Sequence, residues 1–281
     1  MKRFHIVANK DSDPSLKVTG NIEKYLTDHG CTVTGESIIR DDGYGRELSK
    51  DAFSAECILV LGGDGTFIQV AGKNTVHSIP MLGINLGYVG YLTEVERDNV
   101  IPALDRLING DYYIEERMML SGKCLINGIF NSEHALNDII ISRYGSLRVI
   151  KYEIYVNDML LNTYSADGVI ISTPTGSTGY NLSAGGPIVE PVAELIVINP
   201  ICPHTLNTRA IVLSAEDEIR IKVLGGRFLR EYEASVSFDG GVNMNLKAGD
   251  EVVVKKALVS TKMIRLDKES FLYTLGRKMK G

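Results

Sequence analysis

Residues 57–71 read CILVLGGDGTFIQVA, a carboxylate set among three glycines between two apolar runs. Glycine lets backbone N–H groups approach an anion closely. A helix N-terminus just beyond the turn adds a dipole that favours negative charge. Gly62, Gly63, Gly65 and Thr66 therefore read as a phosphate cradle. Asp64 cannot itself hold the phosphate, because like charges repel. A carboxylate beside a polyphosphate can carry Mg²⁺ that bridges phosphates, or take the proton of an attacking hydroxyl. Both roles belong to phosphoryl transfer. The plainer alternative is a turn aspartate that caps the following helix. The turn lacks the G-K-[ST] of a Walker loop and does not fit G-x-G-x-x-G.

Three further stretches carry ligand-binding chemistry. In LNDIIISR (136–143), Asn137 can pair with an adenine edge and Asp138 can accept from ribose hydroxyls; a simple turn before the strand is the alternative. STPTGSTGY (172–180) offers the hydroxyls of Thr175, Ser177 and Thr178 and the ring of Tyr180 between a strand and a helix, which redundant capping would also explain. In GINLGYVGYLTEV (83–95), Asn85 follows a buried strand inside a glycine-rich turn and can reach a ligand, whereas Tyr91 suits core packing equally well.

The elements that must position these residues fall into two kinds. RFHIVA (3–8), CTVTGE, CILVL and SIPMLGIN (78–85) read as strands, and continuous apolar runs suit a parallel sheet covered on both faces. Asp13-Pro14 reads as a helix N-cap followed by proline at the first helical position. Val18, Ile22, Tyr25 and Leu26 share one face of that helix, and Gly30 ends it. Phe67, Val70 and Ala71 mark a second helix, and Ile101, Leu104 and Ile108 a third, closed by Gly110. Strands alternating with helices indicate an α/β domain. RDDGYGRELSKD (40–51) is polar and glycine-punctuated, as a lid loop would be. From about residue 117 to 262 short strands dominate, with Asn127-Gly128, Asn157-Asp158 and Asp239-Gly240 placed as hairpin turns. This half reads as a β-sandwich. SFLYTLGRKM is a short amphipathic helix that returns to the first domain. The expected architecture is a Rossmann-like α/β N-terminal domain with a parallel sheet (1–110 with 263–281) plus an all-β, sandwich-like C-terminal domain (111–262).

Composition narrows the partners. The 281 residues carry a formal charge of -5, with no basic block, which argues against nucleic acid. Cys31, Cys57, Cys124 and Cys202 are widely spaced and form no C-x-x-C; Cys57 and Cys124 sit in strand-like runs, so buried structural thiols in a reduced cytoplasm are expected rather than zinc or a disulfide framework. No apolar run reaches the length of a membrane span, and the N-terminal run is too short for a signal peptide.

The GGDGT of residues 62–66 occurs in NAD kinases, phosphofructokinases and lipid kinases alike. Together with residues 83–95, 136–143 and DGVIISTPTGSTGYNLSAGGPIV (167–189), the chain resembles bacterial NAD kinases from about residue 56 to 255. The resemblance implies transfer of the γ-phosphoryl of ATP, or of polyphosphate, to the adenosine-ribose 2′-hydroxyl of NAD⁺, with a divalent metal, Mg²⁺ being expected. It implies that Asp64 activates the hydroxyl and that Gly62, Gly63, Gly65 and Thr66 hold phosphate and metal. It further implies NAD contacts from Asp64, Gly65, Asn85, Tyr91, Asn137, Asp138, Thr175, Ser177, Thr178, Gly179 and Tyr180. Asp167 is expected to approach the dinucleotide from a neighbouring subunit of a homodimer or homotetramer with a shared site. In NPICPHTLNTRAIVLS (199–214), His204 and Arg209 can face phosphate or carboxamide. The chain departs from the family at Gly179, where alanine is usual, at Ala210, where proline is usual, and at Gly241 in place of glutamine; Tyr91 replaces a phenylalanine. Two alternatives remain open on the residues: another GGDGT kinase acting on a lipid or sugar, or a non-catalytic NAD(P)H-binding sensor. A dehydrogenase lacks its fingerprint.

Overall fold

The computed structural model describes residues 1–281 except 39–46, 88–89, 127–128, 146–147, 206–207, 226–231, 268–270 and 280–281. The chain forms two compact units, Met1–Glu116 with Thr261–Gly281, and Arg117–Ser260.

In the first unit, β1 (Arg3–Asn9) pairs in parallel with β2 (Thr32–Ile38) on one side and β3 (Cys57–Gly62) on the other. Beyond β3 lie β4 (Met81–Asn85) and then the two-residue β5 (Val95–Glu96), both parallel. Every residue of β3 and β4 is buried, which is why these segments are apolar without alternation. Each such Leu or Ile contributes about 1.5–3 kcal/mol of burial. Helix α1 (Lys17–Asp28) buries Ile22 and Leu26 against this sheet, with Val18 and Tyr25 packed at the margin. It starts later than the sequence suggests. Leu16, with φ 51°, stands just before it, and Pro14 lies outside. Asp13 still caps, reaching forward to accept from the Thr19 N–H (2.9 Å) and its hydroxyl (2.9 Å). Helix α3 (Val100–Asn109) packs on the same face as α1, and α2 (Asp64–Lys73) lies on the other, its Phe67 against Gly83 of β4. Gly110, at φ 80°, ends α3, but Ile101 faces outward and Val100, Ala103 and Leu107 join Leu104 in the core instead.

The chain leaves this unit within β6 (Tyr113–Ile126), which forms a hairpin with β7 (Ile129–Ala135). The Asn127-Gly128 turn lies outside the described residues. In the second unit, β8 (Asp138–Arg143), β9 (Ile150–Val156), β10 (Met159–Ala166) and β11 (Gly168–Ser172) precede the short helix α4 (Tyr180–Ser183). There follow β12 (Leu195–Ile201), β13 (Ile211–Ser214), β14 (Ile219–Leu224), β15 (Ala234–Phe238), β16 (Val242–Leu246) and β17 (Glu251–Arg265). One antiparallel sheet runs β13-β12-β11-β8-β15-β16, and β10-β9-β14-β17 form another antiparallel run. Their inward residues, among them Ile139, Tyr152, Val169, Ile198, Ile221 and Val236, share one core. The Tyr152 hydroxyl donates to the Gly168 carbonyl at 2.8 Å, satisfying a polar atom that the core would otherwise strand. Asn157-Asp158 and Asp239-Gly240 make the hairpin turns, all four at positive φ. The end of β17 rejoins the first sheet where Met263 pairs with Met81 of β4, and α5 (Phe271–Met279) follows. Among the described residues no helix is long and apolar enough to cross a membrane.

Candidate active site

Parallel sheets place their ligand sites at the carboxyl ends of the strands, and the first cluster stands there. Gly62 ends β3 directly beside Asn85 at the end of β4. Gly63 precedes α2, and Asp64 is its first residue, where the helix dipole favours a negative charge. The amides of the first turn have no partner inside the helix. Among the described residues, a Cβ added at Gly63 or Gly65 would meet nothing within 4 Å. The room is left on the outer side of the turn. Gly62 is different: a Cβ would stand 2.4 Å from the Thr66 hydroxyl. That hydroxyl turns inward and accepts from the Asn9 side-chain amide at 2.9 Å. Thr66 thus ties the turn to the end of β1, a partner that sequence reading did not supply.

The Asp64 carboxylate is held from the other side. The Tyr91 N–H donates to Oδ2 at 2.7 Å and the Leu92 N–H donates to Oδ1 at 3.0 Å. Each oxygen keeps lone-pair capacity for one more donor. Gly90 makes this possible, since a Cβ there would lie 1.8 Å from Oδ1. Burial, aided by the Asp64 charge, pushes the Tyr91 phenol up. Asn85 is buried, and its side-chain oxygen accepts from the Gly87 N–H at 2.9 Å, which shapes the turn after β4.

The second cluster belongs to the other unit. Register pairs Asp138 with Ser172, so the start of β8 and the end of β11 lie side by side. The Thr173 N–H donates to the Asn137 carbonyl (2.8 Å), and the Thr173 hydroxyl to the Leu136 carbonyl (2.6 Å). A Cβ on Gly176 would lie 2.1 Å from the Asn137 carbonyl oxygen, so the two motifs touch backbone to backbone. The Asn137 side-chain oxygen is buried without a partner. Such an atom costs stability unless something supplies a donor. Asp239, read from sequence only as a turn residue, does more. Its carboxylate accepts from the N–H groups of Leu136 (2.7 Å), Asn137 (2.8 Å) and Asp138 (3.1 Å). Burial and the Asp239 charge push Asp138 up to about 7. Burial likewise raises Asp239 to about 6, against the pull of its three amide donors.

The hydroxyl-rich segment spends part of its capacity internally. Ser177 Oγ accepts from the Val189 N–H (3.0 Å) and donates to the Val189 carbonyl (3.2 Å). The Arg117 guanidinium donates to Thr175 Oγ1 (3.3 Å), and the Thr178 hydroxyl to the Thr175 carbonyl (3.3 Å). Gly179 lies by the Asn137 amide, and Tyr180 is half exposed.

Asp167, His204 and Arg209 are not with this group. Asp167 stands at the opposite end of β11, about 20 Å from Thr173 at the usual strand rise. It pairs with Arg143 Nε at 3.2 Å. The exposed His204 follows on that side, its N–H bonded to the Ser165 carbonyl, while the Arg209 guanidinium donates locally, to the Thr208 carbonyl. Among the described residues no group of three His, Cys, Asp or Glu side chains could hold a metal ion.

Comparison with known proteins adds the following. Residues 4–112 match the model of the ATP-NAD kinase N-terminal domain, and residues 136–266 that of the ATP-NAD kinase C-terminal domain. The NAD kinase of Lachnoclostridium phytofermentans is 43% identical over 99% of both chains, and that of Agathobacter rectalis 42% over 99% of both. Among solved structures, an Archaeoglobus fulgidus NAD kinase in complex with ATP superposes with a TM-score of 0.78 at 25% identity, covering 99% of this chain and 98% of that one. Yeast NADH kinase complexed with NADH gives 0.83 at 21% identity, covering 100% and 88%, a likeness of fold.

Proposed function

The chain belongs to the ATP-NAD kinase family, and from that premise we propose how its residues divide the work. It is an enzyme that phosphorylates NAD, using ATP. Neither a lipid or sugar kinase nor a non-catalytic sensor finds support among its relatives.

The acceptor is the adenosine-ribose 2′-hydroxyl, and Asp64 takes its proton as it attacks the γ-phosphorus. The observation that carries this assignment is the two-amide clamp on the Asp64 carboxylate beside the open glycine turn. A ribose hydroxyl is a poor nucleophile at neutral pH, so a base fixed in one orientation and amides aimed at the donor phosphates supply most of what the protein can add. Gly62, Gly63, Gly65 and Thr66 form the phosphate turn. Asn137 and Asp138 hold the nucleoside, the unpartnered Asn137 oxygen accepting from a base or sugar donor. Thr178, Gly179 and Tyr180 line the same region, with Thr175 and Ser177 bracing it.

A divalent cation fits this residue set. Mg²⁺ commonly binds one or two carboxylates together with substrate phosphates rather than a cage of protein ligands. Asp64 and the donor phosphates would hold it, and it would neutralise charge developing on the phosphates. Asp167, at the opposite end of β11 from Thr173, lies too far from Asn137 to join it on a compact ligand, which supports a homo-oligomer in which one copy lends Asp167 to the site of another. Four free cysteines and phosphorylated nucleotide substrates support a cytoplasmic setting. Polyphosphate remains a candidate donor beside ATP.

The deciding experiment is a coupled assay of NADP⁺ formation for the Asp64→Asn variant, run with ATP and then polyphosphate. Turnover should vanish while NAD⁺ binding by calorimetry persists. Wild-type-like turnover removes the base assignment.

A further inference from the structure

The two amides that orient Asp64 belong to residues 91 and 92, in the irregular stretch between β4 and β5. What fixes that stretch is a charge cluster two residues further on. Glu94 Oε2 accepts from Arg265 Nη1 at 2.6 Å. Glu94 Oε1 accepts from the Leu266 N–H (3.2 Å) and the Asp267 N–H (3.4 Å). Arg265 Nε donates to Glu115 at 3.0 Å. The Arg265 and Glu94 side chains are only 13% and 15% exposed.

Three observations link this cluster to the reacting carboxylate. Glu94 is also pinned by its backbone, donating its N–H to the Gly83 carbonyl at 3.0 Å, one residue before Val95 pairs with Ile84. A Cβ on Gly83 would meet Thr93 Cα at 2.9 Å and Phe67 of α2 at 3.1 Å, so β4, residue 93 and α2 are in direct contact. From Glu94 back to Leu92 the chain can span no more than about 7 Å. A shift at Glu94 must therefore reach the amides at 91 and 92. A desolvated ion pair of this kind adds little stability over an apolar pair of the same size, but it fixes geometry.

We propose that Glu94 and Arg265 are positioning residues for phosphoryl transfer, their ion pair setting where the Tyr91 and Leu92 amides stand and hence where the Asp64 carboxylate points. The proposal rests on the assignment of Asp64 as the base. Glu56 provides the matched control. It too accepts from two backbone N–H groups, of Lys2 and Arg3, and pairs with an arginine, Arg3, at 3.6 Å, but at the other end of β3.

Steady-state kinetics, NAD⁺ titration and thermal melts on Glu94→Gln, Arg265→Met, Arg265→Lys and Glu56→Gln test it. Glu94→Gln and Arg265→Met should lose about 10- to 100-fold in kcat, the cost of an ångström-scale misplacement, with KM and NAD⁺ affinity within about twofold. Arg265→Lys should recover part of the loss. Glu56→Gln should keep its kcat whatever its Tm. Wild-type kcat in both Glu94→Gln and Arg265→Met overturns the proposal, and so does a kcat loss that follows Tm equally in Glu56→Gln. Should Glu94→Gln fail to fold, Arg265→Met alone decides: reduced kcat at unchanged KM supports the proposal, wild-type kcat overturns it. An inactive Asp64→Asn beside a fully active Glu94→Gln removes only the positioning role, whereas an active Asp64→Asn removes the base itself.

Discussion

Replacing Gly90 by alanine should separate catalysis from stability. The new Cβ would stand 1.8 Å from Asp64 Oδ1, 2.5 Å from its Cγ and 2.8 Å from the Thr93 hydroxyl. Real Cβ contacts essentially never fall below 3.0 Å, so Oδ1 must retreat by about 1.2 Å at least. That stretches the bonds from Tyr91 and Leu92, now 2.7 and 3.0 Å, past useful length. A misplacement of about 1 Å costs about 100-fold in rate, or about 2.7 kcal/mol of barrier. Stability should suffer far less. A displaced carboxylate turning outward regains water, and an alanine at a backbone angle it tolerates restrains the unfolded chain, worth about 0.4–1 kcal/mol. The expected result is a kcat about 100-fold down in the coupled NADP⁺ assay, with a Tm within a few degrees of wild type. A Gly90→Ala enzyme with kcat within about threefold of wild type would refute the clamp as the source of Asp64's orientation.

Other outcomes follow from the same geometry. Gly176→Ala puts a Cβ 2.1 Å from the Asn137 carbonyl, a backbone atom that cannot swing aside, so this variant should lose several degrees of Tm as well as NAD⁺ affinity, read by melts and calorimetry. Asp138 and Asp239 titrate near 7 and 6 when folded, above the ordinary carboxylate value of 3.8, so the native state binds more protons between about pH 4 and 7. Their favourable contribution is complete below about pH 4 and lost as pH rises through 7. Wild-type Tm should therefore carry a falling component from about pH 4 to 7, and Asp138→Asn should flatten it; an unchanged slope counts against the buried pair. Chelation of divalent cations should stop turnover and added Mg²⁺ restore it, whereas activity that survives exhaustive chelation argues against a metal on the donor phosphates.

Local signals carried the reading a long way where the physics is local. The apolar run of β3, the glycines after it and the helical spacing of Phe67 and Val70 each follow from neighbours in sequence. The α1 start was misread because Asp13 reaches six residues ahead to Thr19 to cap, rather than sitting beside the first turn. Ile101, Leu104 and Ile108 mark a helix by their spacing, but which residues face the core is a choice made by the sheet: α3 turns Val100, Ala103 and Leu107 inward with Leu104. The hydroxyls of Thr175 and Ser177 suit ligands by type, and the fold adds partners that spacing does not reveal, Arg117 and Val189, as it adds Asn9 for Thr66.

The sequence by itself determined the alternation of strand and helix, the Asn157-Asp158 and Asp239-Gly240 turns, the glycine turn after β3 and the family, because periodicity, glycine placement and motif order are properties of short stretches. Only the tertiary structure decided what holds Asp64 in place, which carboxylate braces Asn137 and Asp138, and that Asp167 pairs with Arg143. Those facts depend on contacts across 27 residues for Asp64 and Tyr91 and 102 for Asn137 and Asp239. Hydrogen bonds act through space, and the spacing of residues along a chain carries no record of which distant amide will arrive beside a given acid.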